Sequence, residues 1–144
     1  MTRESVALAL FSKISAPMTS AGAVLVSRRL LHWSDVQPAD QPAVFLPQGK
    51  SVPTQSQSGL PVQWKASFEV YIYVHEPDPT ATPATKLNLL LDALEAALAP
   101  SSPGLKQTLG GAAVHCWISG PVETDEGTLG DQAVAIVHIE LLYV

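Results

Sequence analysis

From Val62 to His75 (VQWKASFEVYIYVH) apolar and polar residues alternate without a break. The even positions, from Val62 through Phe68 to Val74, are apolar, and the odd positions carry Gln63, Lys65, Ser67, Glu69, Tyr71, Tyr73 and His75. Period-2 alternation predicts a strand with one buried face and one wetter face. A helix would scatter the same apolar residues around its whole circumference. At ~3.3 Å per residue the strand spans roughly 45 Å, well beyond the usual ~5–6 residues, so it must bend or run past the edge of its sheet. It is the expected central strand, with a core on one face and with Tyr71 and Tyr73 on a face left for a partner.

Two helices are predicted around it. In Arg3–Ala16, Val6, Leu10 and Ile14 fall at i, i+4 and i+8, Thr2 stands at the N-cap and Pro17 is the expected stop. In Pro83–Ala99, Leu87, Leu90, Leu91, Leu94 and Leu98 make one stripe behind an N-cap at Thr82, with Pro83 at the first helical position. Burying such a stripe is worth on the order of 10 kcal/mol, comparable to the net stability of a domain.

Further strands are expected within Ala23–Trp33, at the proline-bounded run Pro42–Pro47 near a sheet edge, at Ala113–Ser119, and at Ala133–Val144. The last is apolar on both faces except for His138 and Glu140, and should lie mid-sheet or be masked by a neighbour. Gln48–Pro61, Glu76–Pro83, Ser101–Gly111 and Gly120–Asp131 read as connections, with flexible loops expected near 48–61, 76–83 and 120–131. The order predicts a single α+β domain over residues 1–144. It is a two-layer structure in which a mainly antiparallel sheet of about four to five strands carries two helices on one face.

Composition narrows the function. The 144 residues are 47% hydrophobic but only 15% charged, below the usual ~25%. Neutral surface of this kind tends to be covered by other subunits. Net charge is −5 and only Arg28 and Arg29 are adjacent basic residues, so no basic patch points to direct nucleic-acid recognition or to a membrane surface. The single cysteine, Cys116, cannot form an intrachain disulfide, which fits a reducing compartment. No apolar run reaches the ~20 residues of a membrane span.

No constellation points to catalysis. His115 and Cys116 are neighbours, but strand neighbours face opposite ways, and Cys116 reads as a small core residue. His75, His115 and His138 lack metal-site spacing and a supporting carboxylate or cysteine cluster, so surface or interface histidine is the reading and no metal or cofactor is expected. Glu123, Asp125 and Glu126 read as a solvated acidic turn. The expected interface residues are Arg28, Arg29, Trp33, Lys50, Tyr71, Tyr73, His115 and Trp117. One of the two arginines is expected to pair across the sheet and the other to reach a partner subunit, with plain solvation as the alternative. Trp33 lies between His32 and Ser34, and Trp117 shares a face with His115.

The order of segments RRLLHWSDVQPADQPAVFLPQG (28–49), WKASFEVYIYV (64–74), KLNLLLDALEAAL (86–98), LGGAAVHCWISGPVETDEG (109–127) and AVAIVHIELLY (133–143) resembles the tail terminator, or tail completion, proteins of long-tailed bacteriophages and prophages. The resemblance rests on pattern and order along nearly the whole chain, and no site motif carries over. It implies a structural, non-enzymatic protomer that forms a hexameric ring on the last ring of the tail tube protein. Such a ring stops polymerisation and offers the surface that a head-completion or connector protein meets. It would stand at the head-proximal end of the virion tail, after assembly in the host cytoplasm. The rival readings are another head–tail connector or tube-like component, and a small α+β ligand-binding domain or enzyme.

Overall fold

A computed structural model describes residues 1–101 and 104–144. The elements in order are α1 (Arg3–Ser20), β1 (Leu25–Ser27), β2 (Ala43–Phe45), β3 (Gln48–Thr54), β4 (Gln63–His75), α2 (Pro83–Ala97), β5 (His115–Ile118), β6 (Glu123–Leu129) and β7 (Gln132–Tyr143). Short 3₁₀ turns stand at Trp33–Asp35, Pro38–Asp40 and Leu109–Gly111. The result is an α+β fold with a seven-stranded, mostly antiparallel sheet.

The sheet is built on β4 and β7, which run antiparallel from Trp64↔Tyr143 to His75↔Gln132. Each is flanked by two shorter strands placed end to end. Along β4 lie β2, opposite Tyr71–Tyr73, and β3, opposite Gln63–Phe68. Along β7 lie β6, opposite Gln132–Ile136, and β5, opposite Ile139–Leu142. Strand β1 adds in parallel outside β2. The expected long central strand is therefore present, and it has the length to carry two successive partners on one side.

Two stretches expected as connections contain strands, which is why the sheet has seven rather than four or five. Strand β3 lies inside 48–61 and is almost wholly exposed. Having no buried face, it has no apolar alternation to betray it, and its Pro53 is tolerated because the strand pairs on one side only. An irregularity between Gln48 and Ser51 places Gly49 against β4, where an added Cβ would lie 3.0 Å from the Ser67 carbonyl oxygen. Strand β6 lies inside 120–131, is acidic and largely exposed, and turns back into β7 through Gly130 at φ +72°. The loop expected over Ser101–Gly111 includes Ser102 and Pro103, which lie outside the described residues.

Other boundaries moved for local reasons. Helix α1 continues through Pro17 to Ser20, because the ring falls in the last turn and Met18 beyond it is fully buried. The first turn is held by a reciprocal capping box: the Thr2 hydroxyl accepts from the Ser5 N–H (3.1 Å) and the Ser5 hydroxyl from the Thr2 N–H (3.0 Å). Thr82 occupies the N-cap of α2 without a side-chain bond. The run Pro42–Pro47 forms β2, but one strand in from the edge and buried throughout, with β1 outside it.

The main core lies between the helices and one face of the sheet. From β4 come Ala66, Phe68, Val70, Ile72 and Val74; from β7 the odd residues Ala133–Tyr143; from α1 Val6, Leu10, Ile14 and Met18; from α2 Leu87, Leu90 and Leu94. Leu98, just past α2, joins them, whereas Leu91 is only half-buried. A second, smaller cluster covers part of the opposite face: Val36, Ala43, Phe45 and Tyr73, with Trp33 and Val134 packed beside them.

Between the two, Gln41 and Gln132 are buried and pair amide to amide. Gln132 Nε2 donates to Gln41 Oε1 (2.7 Å) and to the Val74 carbonyl (3.1 Å), and Gln41 Nε2 donates to Gln132 Oε1 (3.1 Å) and the Val36 carbonyl (3.2 Å). The pair ties the irregular 33–42 segment to the start of β7.

Candidate interaction surface

The polar positions of β4 and β7 face away from the helices, and their register decides which side chains meet. Lys65, Ser67, Glu69 and Tyr71 stand opposite Leu142, Glu140, His138 and Ile136. Strand β5 extends the face with His115 opposite Leu142 and Trp117 opposite Glu140, and β6 with Glu123 opposite Ile136. Most of these residues are half-buried rather than covered.

Pairing across this face is ionic and aromatic. Lys65 Nζ lies 3.2 Å from Glu140 Oε2. Glu69 holds two neighbours: Tyr71 donates its hydroxyl to Oε2 at 2.7 Å, and His138 Nδ1 lies 3.6 Å from Oε1. The Glu69 carboxylate accepting that hydrogen bond, with some desolvation, pushes the Tyr71 phenol up to about 12, because ionisation would set two negative charges together. His115 stacks on Trp117 with ring centroids 5.1 Å apart, and its Nδ1 accepts the Gln107 N–H at 3.2 Å.

A shallow groove of about 490 Å³ crosses the face at the level where both pairs of flanking strands are interrupted. Its walls carry Lys50, Ser67, Glu69, His138 and Glu140, with Ser119 and Gly120 at the break between β5 and β6.

The structure distributes the expected interface residues unevenly. Lys50, Tyr71, His115 and Trp117 share the open face or its groove. Arg28 turns to the helical side, where its guanidinium makes a two-pronged ion pair with Glu4 of α1 and holds that carboxyl below its ordinary range. Arg29 is exposed beyond the end of β1. Trp33 is half-buried in a 3₁₀ turn, against the small cluster.

Tyr73 departs most from expectation. Only 4% exposed, it packs on Phe45 with centroids 5.4 Å apart and donates its hydroxyl to the Leu31 carbonyl at 2.7 Å. The face expected to be free at Tyr71 and Tyr73 is thus covered at Tyr73 by the chain's own 31–45 segment. Sequence reasoning missed Glu69 and His138 as a cluster. Each occupies a polar slot of its strand, but only the β4–β7 register brings them together.

The sulfur chemistry is also settled by position. Cys116 is buried on the helical face with its thiol pushed up to about 12 by desolvation, while His115 faces the other way. The pair supplies no thiolate nucleophile. Among the described residues no three histidine, cysteine or acidic side chains gather closely enough to hold a metal ion. Nor, among the described residues, is any helix long and apolar enough to cross a membrane.

No protein-family model and no curated protein matches the chain. A solved structure does. The chain is similar to one from the virion of a native gene transfer agent particle, with a TM-score of 0.57 over 94% of this chain and 92% of that one. Identity is 10%, so the likeness is one of fold.

Proposed function

We propose that the protein is a structural component of a phage-like virion, and specifically a tail terminator. In this reading six copies form a ring on the last ring of the tail tube, stop its growth and present the surface that a head-completion protein meets. The observation that supports it is the near end-to-end fold likeness to a chain of a gene transfer agent virion. The segment order described above gives the finer assignment.

The surface is of a suitable kind. It mixes aromatic residues with paired charges around a shallow, open groove, as protein interfaces do. A closed ring needs heterologous contacts, with two different patches on each subunit. The open face and the sheet edges supply unlike surfaces. Lys50, Tyr71, His115 and Trp117 are the residues placed at contacts with the neighbouring subunit or the tube, with Arg29 and Trp33 at the rim.

The test is electron microscopy of particles assembled without the gene, combined with solution mass by light scattering. Overlong tubes, together with a hexamer alone or on added tubes, are the expected results. Normal-length tails that fail to join heads would replace the terminator with a connector. Normal, infectious particles would overturn the virion reading.

A further inference from the structure

At the end of the sheet where β4 begins and β7 ends, the structure leaves polar groups without partners. Tyr143 is 4% exposed, and its hydroxyl finds no hydrogen-bond partner among the described residues. It lines a hollow of about 470 Å³ together with the first turn of α1 and Trp64. Arg3 lies over Trp64, its guanidinium carbon 4.5 Å from the ring centroid, and among the described residues no carboxylate is within ion-pair distance of it. Glu4 also lines the hollow, but its carboxylate is committed to Arg28. A buried hydroxyl needing an acceptor, a stacked but unpaired guanidinium and a helix N-terminus all favour the same guest, a carboxylate.

The chain carries a complementary patch. On β6 Glu123 and Asp125 share the open face, with Glu126 on the other side of the strand, and no lysine or arginine among the described residues pairs with them. Strand β6 reaches only as far as Ile136 along β7, whereas Tyr143 lies seven residues further, roughly 23 Å away at ~3.3 Å per residue. The acidic strand therefore cannot fill the hollow of its own molecule.

We propose that the Arg3–Trp64–Tyr143 hollow receives a carboxylate from β6 of a second copy, so that copies join head to tail. This deepens the proposed ring and rests on it, since it names the two unlike patches that a heterologous contact requires.

The experiment uses two charge-reversed variants. One carries Arg3→Glu; the other carries Glu123→Lys, Asp125→Lys and Glu126→Lys. Melting temperatures confirm that both fold, and light scattering reads their mass alone, mixed and combined in one chain, with and without tail tubes. Each alone loses the self-association that the wild type shows. Mixed, they assemble in alternation at a 1:1 ratio, because each hollow then meets a strand of opposite charge. The fully reversed chain regains assembly.

Tyr143→Phe gives a second, independent readout. It leaves the melting temperature of the isolated subunit equal or raised, since it deletes an unpaired buried hydroxyl, yet weakens association roughly fivefold to tenfold. Wild-type assembly with an indifferent Arg3→Glu variant, or no complex on mixing, overturns the contact alone and leaves the ring reading standing. A Tyr143→Phe chain that melts lower but assembles normally also overturns it. A wild type that never self-associates, even on tubes, overturns both.

Discussion

The two faces of the β4–β7 pair come from the same alternating residues, yet they are built to different ends. On the helical side every cross-strand pair is apolar from Ala66↔Leu141 to Val74↔Ala133, and both helices close over it. On the other side the same strands pair Lys65 with Leu142, Ser67 with Glu140 and Glu69 with His138, and only the Tyr73 end is roofed, by the 31–45 segment. Burial of apolar area drives the first face, while the second keeps water or a partner within reach of half its side chains. One strand thus carries both a closed apolar face and an open polar one because its side-chain period is two.

The helical face should fail outright when charged. Leu90 of α2 is fully buried, and Leu90→Asp sets an unpaired carboxylate among leucines. We expect a loss above ~4 kcal/mol and no soluble folded protein. A soluble variant with the wild-type melting curve would show that α2 is not core.

Truncating large aromatics then separates the faces. Phe68, 2% exposed on the helical side, should cost about 3–5 kcal/mol when changed to Ala. Trp117 on the open side is larger but half-buried, and Trp117→Ala should cost about 1 kcal/mol or less in the isolated subunit while impairing assembly. Equal losses from the two in urea titrations would erase the distinction between the faces.

A smaller effect tests the seam between them. Gln41→Leu strands the Gln132 amide in a buried place and should cost about 1–3 kcal/mol, as should Gln132→Leu, whereas the double variant should recover most of the loss. Additive losses in the cycle would show that the amides act independently.

How much of this was readable in the chain follows the same division. The helical face announced itself, because burial imposes periodicity: 3.6 in Leu87, Leu90 and Leu94, two in Phe68, Val70 and Ile72. Strands β3 and β6 were read as loops because strands exposed on both faces obey no burial rule, and their pairing depends on β4 and β7 being long enough to hold them. The site was only half legible. Tyr71, His115 and Trp117 could be placed on wet faces from alternation alone, whereas Lys50 stands in a stretch that reads as a loop. That Tyr73 would be roofed by its own chain, that Arg28 would reach back to Glu4, and that Tyr143 would be left without a hydrogen bond depend on contacts between segments far apart in sequence.

The last difference between the faces is in their response to alkali. Tyr71, on the open side, is held up to about 12 first by its hydrogen bond to Glu69, and Cys116, on the helical side, is held up to about 12 by burial. For both, the folded state prefers the protonated form more than the unfolded chain does. Their contributions are fully present below the unfolded values, 10.0 for the phenol and 9.0 for the thiol, and are lost as pH rises through 12. Stability should therefore decline across that window. Tyr71→Phe should remove the part beginning near pH 10, and Cys116→Ala the part beginning near pH 9. Because the phenol's shift comes mainly from one hydrogen-bonded carboxylate, Glu69→Gln should mimic Tyr71→Phe, yet it cannot alter the cysteine's share. A denaturant midpoint that stays flat from pH 9 to 12 in the wild type, or a decline that Glu69→Gln leaves unchanged, would break the link between Glu69 and Tyr71 on which the electrostatics of the open face rest.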